Sequence, residues 1–79
     1  MVEAYVLVQA VPGPSGQSVS REIRAISGVV SVDDVSGPYD VIARIQGRTL
    51  DDLFRRVVSE IQSVEGVIRT LPCTVVHFD

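Results

Sequence analysis

The stretch VVSVDDVSGPYDVIARIQ, residues 29–46, decides the fold of this chain. It contains two apolar, β-rich runs, 29–35 and 39–46, joined by a tight Ser-Gly-Pro turn at 36–38. Because glycine and proline interrupt strands and favour turns, this pattern is typical of a β-hairpin. The sequence therefore predicts two adjacent antiparallel strands in the middle of the chain.

A helix is predicted on the N-terminal side of this hairpin. Apolar residues recur there at helical spacing between Val19 and Ile26. Ser15 or Ser18 is expected to cap its start, because a hydroxyl oxygen accepts a hydrogen bond from the free N–H groups of a first turn. Gly28 is expected to end it.

A second helix is predicted on the C-terminal side. Thr49, followed by Asp52 three residues later, is typical of a capping box, and Gly66 is expected to end the helix. The apolar residues of this segment share one helical stripe: Leu50, Leu53, Phe54, Val57, Val58, Ile61 and Val64.

Two further β-rich segments, 2–11 and 67–78, lie outside the helices. The order is therefore β-α-β-β-α-β, the ferredoxin-like arrangement of an α+β fold, in which a four-stranded antiparallel sheet carries both helices on one face. Right-handed crossovers place the first and third strands at the centre of the sheet. We expect one domain over residues 1–79.

The first strand is apolar on both of its faces. One face presents Ala4, Val6, Val8 and Ala10, and the other presents Tyr5, Leu7, Gln9 and Val11. A sheet covered by helices on one side normally presents polar residues on the other. In a chain of 79 residues, of which 46% are hydrophobic, the second apolar face predicts a sheet-to-sheet dimer of the dimeric α/β-barrel type.

The composition disfavours several classes of function. Seven basic against ten acidic residues give a net charge of −3, which disfavours direct binding of DNA or RNA. The single cysteine, Cys73, excludes an internal disulfide and four-thiol metal sites. No apolar run approaches the roughly 18 residues of a membrane span, and the first residues lack a basic signal segment. A cytoplasmic protein that does not associate with membranes is therefore expected.

Side chains of the types that enzymes use in catalysis are few and scattered along this sequence. His77 has no second histidine and no nearby cysteine, which indicates a solvent-edge or interface residue, and Cys73 is expected to be a buried small hydrophobe. Asp33 and Asp34 are adjacent in a strand, so they point to opposite faces and cannot share a metal ion. We expect no enzyme activity, no metal and no cofactor.

The turn between the two central strands is the best candidate for a binding site. Residues 36–40 combine a glycine, a proline, the ring of Tyr39 and the carboxylate of Asp40. Turn composition alone explains Gly37 and Pro38, but it does not explain an acid at the mouth of an apolar strand. An acid beside exposed turn amides can receive an ammonium and a carboxylate together, so both an ordinary turn and a ligand site remain open.

A wider pattern includes this turn: Val-Val-Ser-Val at 29–32, Ser-Gly-Pro-Tyr-Asp-Val at 36–41, Leu53, and Gly-Val-Ile-Arg-Thr at 66–70. It resembles the effector domain of the Lrp/AsnC transcription regulators, also called the RAM domain. The resemblance implies a dimer joined through its sheets and assembled into a ring such as an octamer. It also implies an amino-acid site at the contact between dimers.

The same resemblance implies which residues form that site: Gly37, Tyr39, Asp40, Val30, Ser31 and Thr70. The first three would contact the charged end of the amino acid, and the others would line the rest, with Thr70 coming from another subunit. Because the chain opens directly in its first strand, we expect a stand-alone effector domain without a helix-turn-helix. Such a domain would not bind DNA directly and would act through a full-length Lrp/AsnC regulator.

Two other functions remain open on the sequence. A small dimeric α/β-barrel enzyme of the monooxygenase or isomerase type has the same topology, although the absence of Asn and Trp and the late position of His77 disfavour it. An ACT-like amino-acid-binding domain shares the element order, and Gly13 could serve as the glycine that follows its first strand. The Gly-Pro-Tyr-Asp turn favours the RAM domain over both.

Overall fold

Six elements make up the chain in a computed structural model, which describes residues 1–12 and 14–78 and gives the backbone alone over 14–17. They are β1 (Val2–Ala10), α1 (Pro14–Arg24), β2 (Val29–Asp34), β3 (Val41–Gly47), α2 (50–62) and β4 (Val67–Thr74). The strands form one antiparallel sheet in the order β2-β3-β1-β4. The predicted element order and the central position of the first and third strands are confirmed.

The core lies between the two helices and one face of the sheet. Alternate residues of β1 and β3 point into it, as expected from the two-residue period of a strand. The buried apolar residues are Ala4, Val6, Val8, Ala10, Val19, Ile23, Val32, Val41, Ala43, Ile45, Leu53, Val57, Val58 and Ile61. Burial of this set is the main favourable contribution to folding.

Strand β1 organises the sheet because it pairs on both sides. It pairs with β3 over residues 2–8 and with β4 over residues 4–10. The register with β4 shifts between Gln9 and Ala10, which marks a local irregularity of the bulge type. This end of β1 lies beside the turn at 36–40.

The strand ends differ from those predicted. Strand β3 begins at Val41, two residues later than expected, while β1 and β2 each end one residue earlier. Strand β4 ends at Thr74, whereas the apolar pattern continues to 78. A strand requires a partner, and among the described residues beyond Thr74 only the N–H of Val75 finds one, donating to the Glu3 carbonyl at 3.0 Å.

Helix α1 begins at Pro14, so neither Ser15 nor Ser18 precedes its first turn. The predicted serine N-cap is therefore wrong. Proline suits a first turn because its φ is already helical and its missing N–H needs no partner there. Gly13, on which the ACT-like alternative depended, lies outside the described residues.

Helix α2 consists of three consecutive segments, Leu50–Asp52, Leu53–Val58 and Ser59–Gln62, of which the middle one is π-helical. The hydroxyl of Thr49 accepts a hydrogen bond from the N–H of Asp52 at 3.0 Å, which confirms the predicted cap. Leu50 and Phe54 are 48% and 40% exposed, so the predicted apolar stripe is not buried along its whole length. The other stripe residues within α2, namely Leu53, Val57, Val58 and Ile61, are buried as predicted.

The two helices end at Arg24 and Gln62, four residues earlier than predicted, and Gly28 and Gly66 lie in the turns that lead to the next strands. Gly28 and Gly66 have φ values of +101° and +100°, which side chains rarely adopt. A methyl group added to Gly28 would lie 2.9 Å from Val57 Cγ2, and one added to Gly66 would lie 2.8 Å from Val19 Cγ2. Both the backbone conformation and the close packing therefore require glycine.

Candidate functional site

The turn at 36–40 closes the hairpin through its first and last residues. The N–H of Val35 donates to the carbonyl of Asp40 at 2.9 Å. Gly37 has a φ of +155°, and a methyl group added there would meet no atom within 4 Å. Glycine is therefore required at this position by backbone conformation rather than by crowding within the chain.

Asp40 joins this turn to the end of β1. One carboxylate oxygen, Oδ2, accepts a hydrogen bond from the N–H of Ala10 at 2.8 Å, and the N–H of Asp40 donates to the carbonyl of Val8 at 2.9 Å. The pairing of β1 with β3 ends at Val8 and Val41, so the Asp40 side chain takes the place of a ladder partner for the Ala10 N–H beyond that end. The other carboxylate oxygen, Oδ1, has no hydrogen-bond partner among the described residues, and the side chain is exposed.

Thr70 lies at the same end of the sheet, on the far side of β1. It pairs with Val8, and its Oγ1 accepts a hydrogen bond from Gln62 Nε2 at 2.9 Å. The structure therefore brings Gly37, Tyr39, Asp40 and Thr70 to one end of the molecule, with Tyr39 half-buried.

Val30 and Ser31 lie at the opposite end of the hairpin. Ser31 pairs with Arg44, whereas Asp34 pairs with Val41 at the end that carries the turn. The intervening part of β3 spans about 10 Å. Within one chain, Val30 and Ser31 are therefore not brought together with Asp40.

Val30 instead borders an open groove of about 760 Å³ at its own end of the sheet. Arg56 crosses this groove, donating from Nε to Asp52 Oδ1 at 3.1 Å and from Nη1 to the Ser27 carbonyl at 3.0 Å. The hydrogen bond to Asp52 raises the pKa of Arg56. Arg56 links α2 to the turn that follows α1. It therefore has a structural role that the sequence pattern did not indicate.

The face of the sheet that carries no helix, which we call the open face, is apolar at its centre. Its residues alternate with the core residues of the same strands: Glu3, Tyr5, Leu7 and Gln9 of β1, Ser31 and Asp33 of β2, Ile42, Arg44 and Gln46 of β3, and Arg69, Leu71 and Cys73 of β4. Tyr5 and Leu71 are 43% and 45% exposed. The predicted second apolar face is therefore limited to the centre of the open face, since seven of these twelve residues are polar or charged.

A polar cluster lies at one end of the open face. Glu3 Oε1 accepts hydrogen bonds from Arg44 Nη2 and from Gln46 Nε2, each at 2.7 Å. The hydrogen bond from Arg44, followed by that from Gln46, lowers the pKa of Glu3, and the bond between Glu3 and Arg44 raises the pKa of Arg44. Arg44 Nε is buried without a partner among the described residues. Sequence reasoning missed this cluster, whose only sign was three polar residues in apolar strands.

A protein-family model, the Lrp/AsnC ligand binding domain, matches residues 3–76. The chain belongs to this family. A curated relative, the HTH-type transcriptional regulator LysM of Saccharolobus solfataricus, is 32% identical over 69 residues, which is 87% of this chain and 48% of LysM. Homocitrate synthase of Saccharolobus islandicus is 30% identical over 70 residues, which is 89% of this chain and 15% of that enzyme. The Lrp/AsnC domain described here thus spans half or less of these curated relatives.

Solved structures share the fold of this Lrp/AsnC domain. The protein TTHA0845 from Thermus thermophilus superposes with a TM-score of 0.87 at 30% identity, and the match covers 100% of this chain and 98% of that one. The transcriptional regulator NMB0573 from Neisseria meningitidis, solved as an L-Met complex, gives a TM-score of 0.82 at 16% identity, covering 96% and 50%. The predicted ferredoxin-like α+β fold and the predicted family are confirmed.

The remaining candidate residues of the Lrp/AsnC domain do not converge. Cys73 is exposed on the open face, so the prediction that it is buried is wrong; β4 is an edge strand, and none of the described elements covers that side. His77 is exposed near the C-terminus. Asp33 lies on the open face, whereas Asp34 accepts a hydrogen bond from Ser20 of α1 at 3.4 Å, which confirms that the two acids diverge.

The described residues contain no group of three or more His, Cys, Asp or Glu side chains placed to hold a metal ion. Among the same residues, no helix combines the length and the apolar character needed to cross a membrane.

Proposed function

We propose that this chain is a self-assembling effector domain that binds a free α-amino acid at the turn 36–40 and acts in regulation rather than in catalysis. The observation that carries the proposal is the state of Asp40. Its carboxylate is held by the Ala10 N–H through Oδ2, and Oδ1 has no partner among the described residues. A fixed carboxylate with one free oxygen suits an ammonium group, which needs a charge-assisted partner once it loses water.

The other half of an amino acid, its carboxylate, has no arginine in the turn to receive it. We assign it to the backbone N–H groups of Gly37 and Tyr39, since Pro38 has none to donate. The exposed turn leaves these groups at the surface of the domain. The amino-acid side chain would then extend beyond the domain, where a second copy can cover it.

A site of this kind is completed by assembly. Val30 and Ser31 lie at the far end of the hairpin, so any contribution they make to a site at Asp40 must come from another copy. Thr70 lies at the same end of the sheet as Asp40, but its hydroxyl is engaged by Gln62 on the helix side, so we assign its contribution to the site of another copy. A dimer formed through the sheets and joined to others in a ring, such as an octamer, would supply these residues.

The choice of ligand class has support outside the chain. The structural relative NMB0573, a transcriptional regulator, was solved as an L-Met complex. This chain has the same fold, belongs to a ligand-binding domain family, and carries an acid and exposed amides at one turn. We therefore assign the site to free amino acids, and a binding screen would identify the side chain of the ligand.

The regulatory role follows from the matched relatives. LysM is an HTH-type transcriptional regulator, and this chain aligns with about half of it. We propose that the domain affects transcription by co-assembling with a full-length Lrp/AsnC regulator, which supplies the DNA contacts. The net charge of −3 disfavours direct contact between this domain and DNA.

The homocitrate synthase match favours a second candidate function. A segment of that enzyme resembles this domain over 70 residues. The domain could therefore control an enzyme, rather than a promoter, in response to an amino acid. Co-purification of the native protein separates the two functions, since a helix-turn-helix regulator and an enzyme are different partners.

The ligand is identified by a thermal-shift screen of the twenty amino acids, because a ligand at about 100 times its Kd stabilises the folded state by roughly 2.7 kcal/mol. Calorimetry then compares Asp40→Asn with the wild type. Asparagine keeps an oxygen for the Ala10 N–H and removes the charge, so affinity should fall about ten- to hundredfold while the fold persists. Asp51→Asn, an exposed acid on α2, is the matched control and should bind normally. Equal affinity of Asp40→Asn and wild type would remove Asp40 from the site.

A further inference from the structure

The groove that Val30 borders has the size of a ligand site. Its volume of about 760 Å³ falls within the range of roughly 300–1,000 Å³ that small-molecule sites occupy. Gly28 and Gly47 form part of its lining. A methyl group added to Gly47 would lie 2.8 Å from Asp52 Oδ2, and one added to Gly28 would lie 3.3 Å from Arg56 Nη2. The backbone of both turns therefore packs directly against the Arg56–Asp52 pair.

Two arginines line this groove, and only one of them is neutralised. Arg56 donates from Nε to Asp52 Oδ1 at 3.1 Å and from Nη2 to Asp52 Oδ2 at 3.5 Å. Arg48 is exposed and has no ion-pair or hydrogen-bond partner among the described residues. With two arginines against one aspartate, the side chains of the groove carry one net positive charge, in a chain whose net charge is −3.

A bulge in β2 gives the same groove an apolar wall. Val29 pairs with Ile45 and Ser31 pairs with Arg44, so Val30 is an extra residue without a partner of its own in β3. Bulges of this kind redirect side chains and are frequent beside functional sites. Val30 lines the groove and is 50% exposed. An aliphatic side chain and an unpaired guanidinium therefore share one concave surface.

From this combination we infer that the groove binds a small organic anion, whose carboxylate or phosphate contacts Arg48 and whose apolar part contacts Val30. A guanidinium recognises either oxyanion through parallel N–H groups. Arg56 provides further donors, because only three of its five N–H groups are engaged, two by Asp52 and one by the Ser27 carbonyl.

This site differs from the amino-acid site proposed at the turn 36–40, and it does not depend on it. The ammonium of an α-amino acid needs an acid, and the one acid that lines the groove, Asp52, already accepts from Arg56 through both oxygens. The groove therefore favours anions without an ammonium group. It also lies at the opposite end of the hairpin from Asp40, so the two sites can be occupied together.

An NMR titration of the ¹⁵N-labelled full chain tests the site with four probes: hexanoate, hexyl phosphate, hexanol and inorganic phosphate. At least one of the two hexyl anions should shift the amide signals of residues 28–30 and 47–49, and the one that binds more tightly identifies the headgroup. Hexanol and inorganic phosphate should bind about tenfold more weakly, because each lacks one of the two contacts.

Three results of this titration would contradict the inference. If neither hexyl anion shifts these signals at about 10 mM, the groove is not a site for organic anions. If hexanol binds as tightly as the anions, the charge of Arg48 is not used. If inorganic phosphate binds as tightly as hexyl phosphate, the groove holds an adventitious ion only, and the contact with Val30 is overturned.

Variants then assign the residues. Arg48→Ala should weaken binding of the hexyl anion about five- to tenfold. Arg55→Ala is the matched control, since Arg55 is an exposed arginine of α2 that pairs with Asp51 outside the groove, and it should bind normally. Unchanged affinity of a folded Arg48→Ala variant, checked by circular dichroism, would remove Arg48 from the site. Asp40→Asn should bind the hexyl anion as wild type does, so the failure of one site is distinguishable from the failure of the other.

Discussion

Replacement of Gly28 by alanine should destabilise the domain through two separable effects. The first is conformational, because alanine must adopt the φ of +101° that glycine tolerates, at a cost of about 1–2 kcal/mol. The second is steric. The added Cβ would lie 2.9 Å from Val57 Cγ2, 3.2 Å from the Gln46 carbonyl oxygen and 3.3 Å from Arg56 Nη2. Because the first contact is with a fully buried side chain and the second with backbone, relief requires movement of packed groups, at about 1–3 kcal/mol.

Gly37→Ala is the matched control, since Gly37 also has a positive φ but has no atom within 4 Å of an added Cβ. We expect Gly28→Ala to lose about 2–5 kcal/mol of unfolding free energy, and Gly37→Ala only the conformational part, about 1–2 kcal/mol. The total stability of a domain of this size is on the order of 4–12 kcal/mol. For most wild-type stabilities in this range, Gly28→Ala should therefore still fold, but with a clearly lower denaturation midpoint.

Urea denaturation followed by circular dichroism measures this difference. Wild type and both variants must be compared at one protein concentration, because any assembly makes apparent stability depend on concentration. The m-value should stay constant, which shows that the midpoint shift reports stability rather than a change in the unfolded state. If Gly28→Ala is no more destabilised than Gly37→Ala, the close packing around Gly28 in the turn after α1 is not the reason that glycine occupies this position.

Two further predictions concern burial and charge. Leu53→Ala should cost about 2–5 kcal/mol, and Leu50→Ala on the same helix less than about 1 kcal/mol, because Leu53 is fully buried and Leu50 is 48% exposed; equal urea midpoints would contradict the burial described for α2. The hydrogen bonds from Arg44 and Gln46 lower the pKa of folded Glu3, so the stability gained from its charged form is present above the ordinary glutamate pKa of 4.5 and is lost as the pH falls through the lower folded value. As the pH is lowered through this range, the urea midpoint should therefore fall more steeply for wild type than for Glu3→Gln. Parallel pH profiles of the two proteins would show that the charge of Glu3 contributes nothing to stability.

The order of the elements and the family could be predicted from the amino-acid sequence without the structure. Helical and strand periodicities are local properties, as are the Thr49 cap and the glycines at 28 and 66, so they are visible without a partner in space. The two apolar faces of β1 were also visible, because alternate residues of a strand point to opposite sides. The short turn and the Gly-Val-Ile-Arg-Thr segment at 66–70 were enough to indicate the Lrp/AsnC family.

Local periodicity could not settle which stripe residues become buried. Phe54 falls on the predicted apolar stripe, yet it is 40% exposed, whereas its neighbour Leu53 on the same stripe is fully buried. Cys73 is small and apolar, yet it is exposed because β4 is an edge strand whose open face is not covered by any described element. Burial depends on what lies opposite a residue, and one sequence read in order does not contain that information.

The hydrogen bonds that fix the side chains of Asp40 and Glu3 depend on the tertiary structure. The Ala10 N–H reaches Asp40 across 30 residues of sequence, and Gln46 reaches Glu3 across 43. No spacing rule predicts either contact, because each one depends on strand register, and the first also depends on where the pairing of β1 with β3 ends. The sequence supplied an acid at the end of a turn, whereas strand pairing fixed its carboxylate and left Oδ1 without a partner among the described residues, since a hydrogen bond between distant residues forms only after the sheet has brought them together.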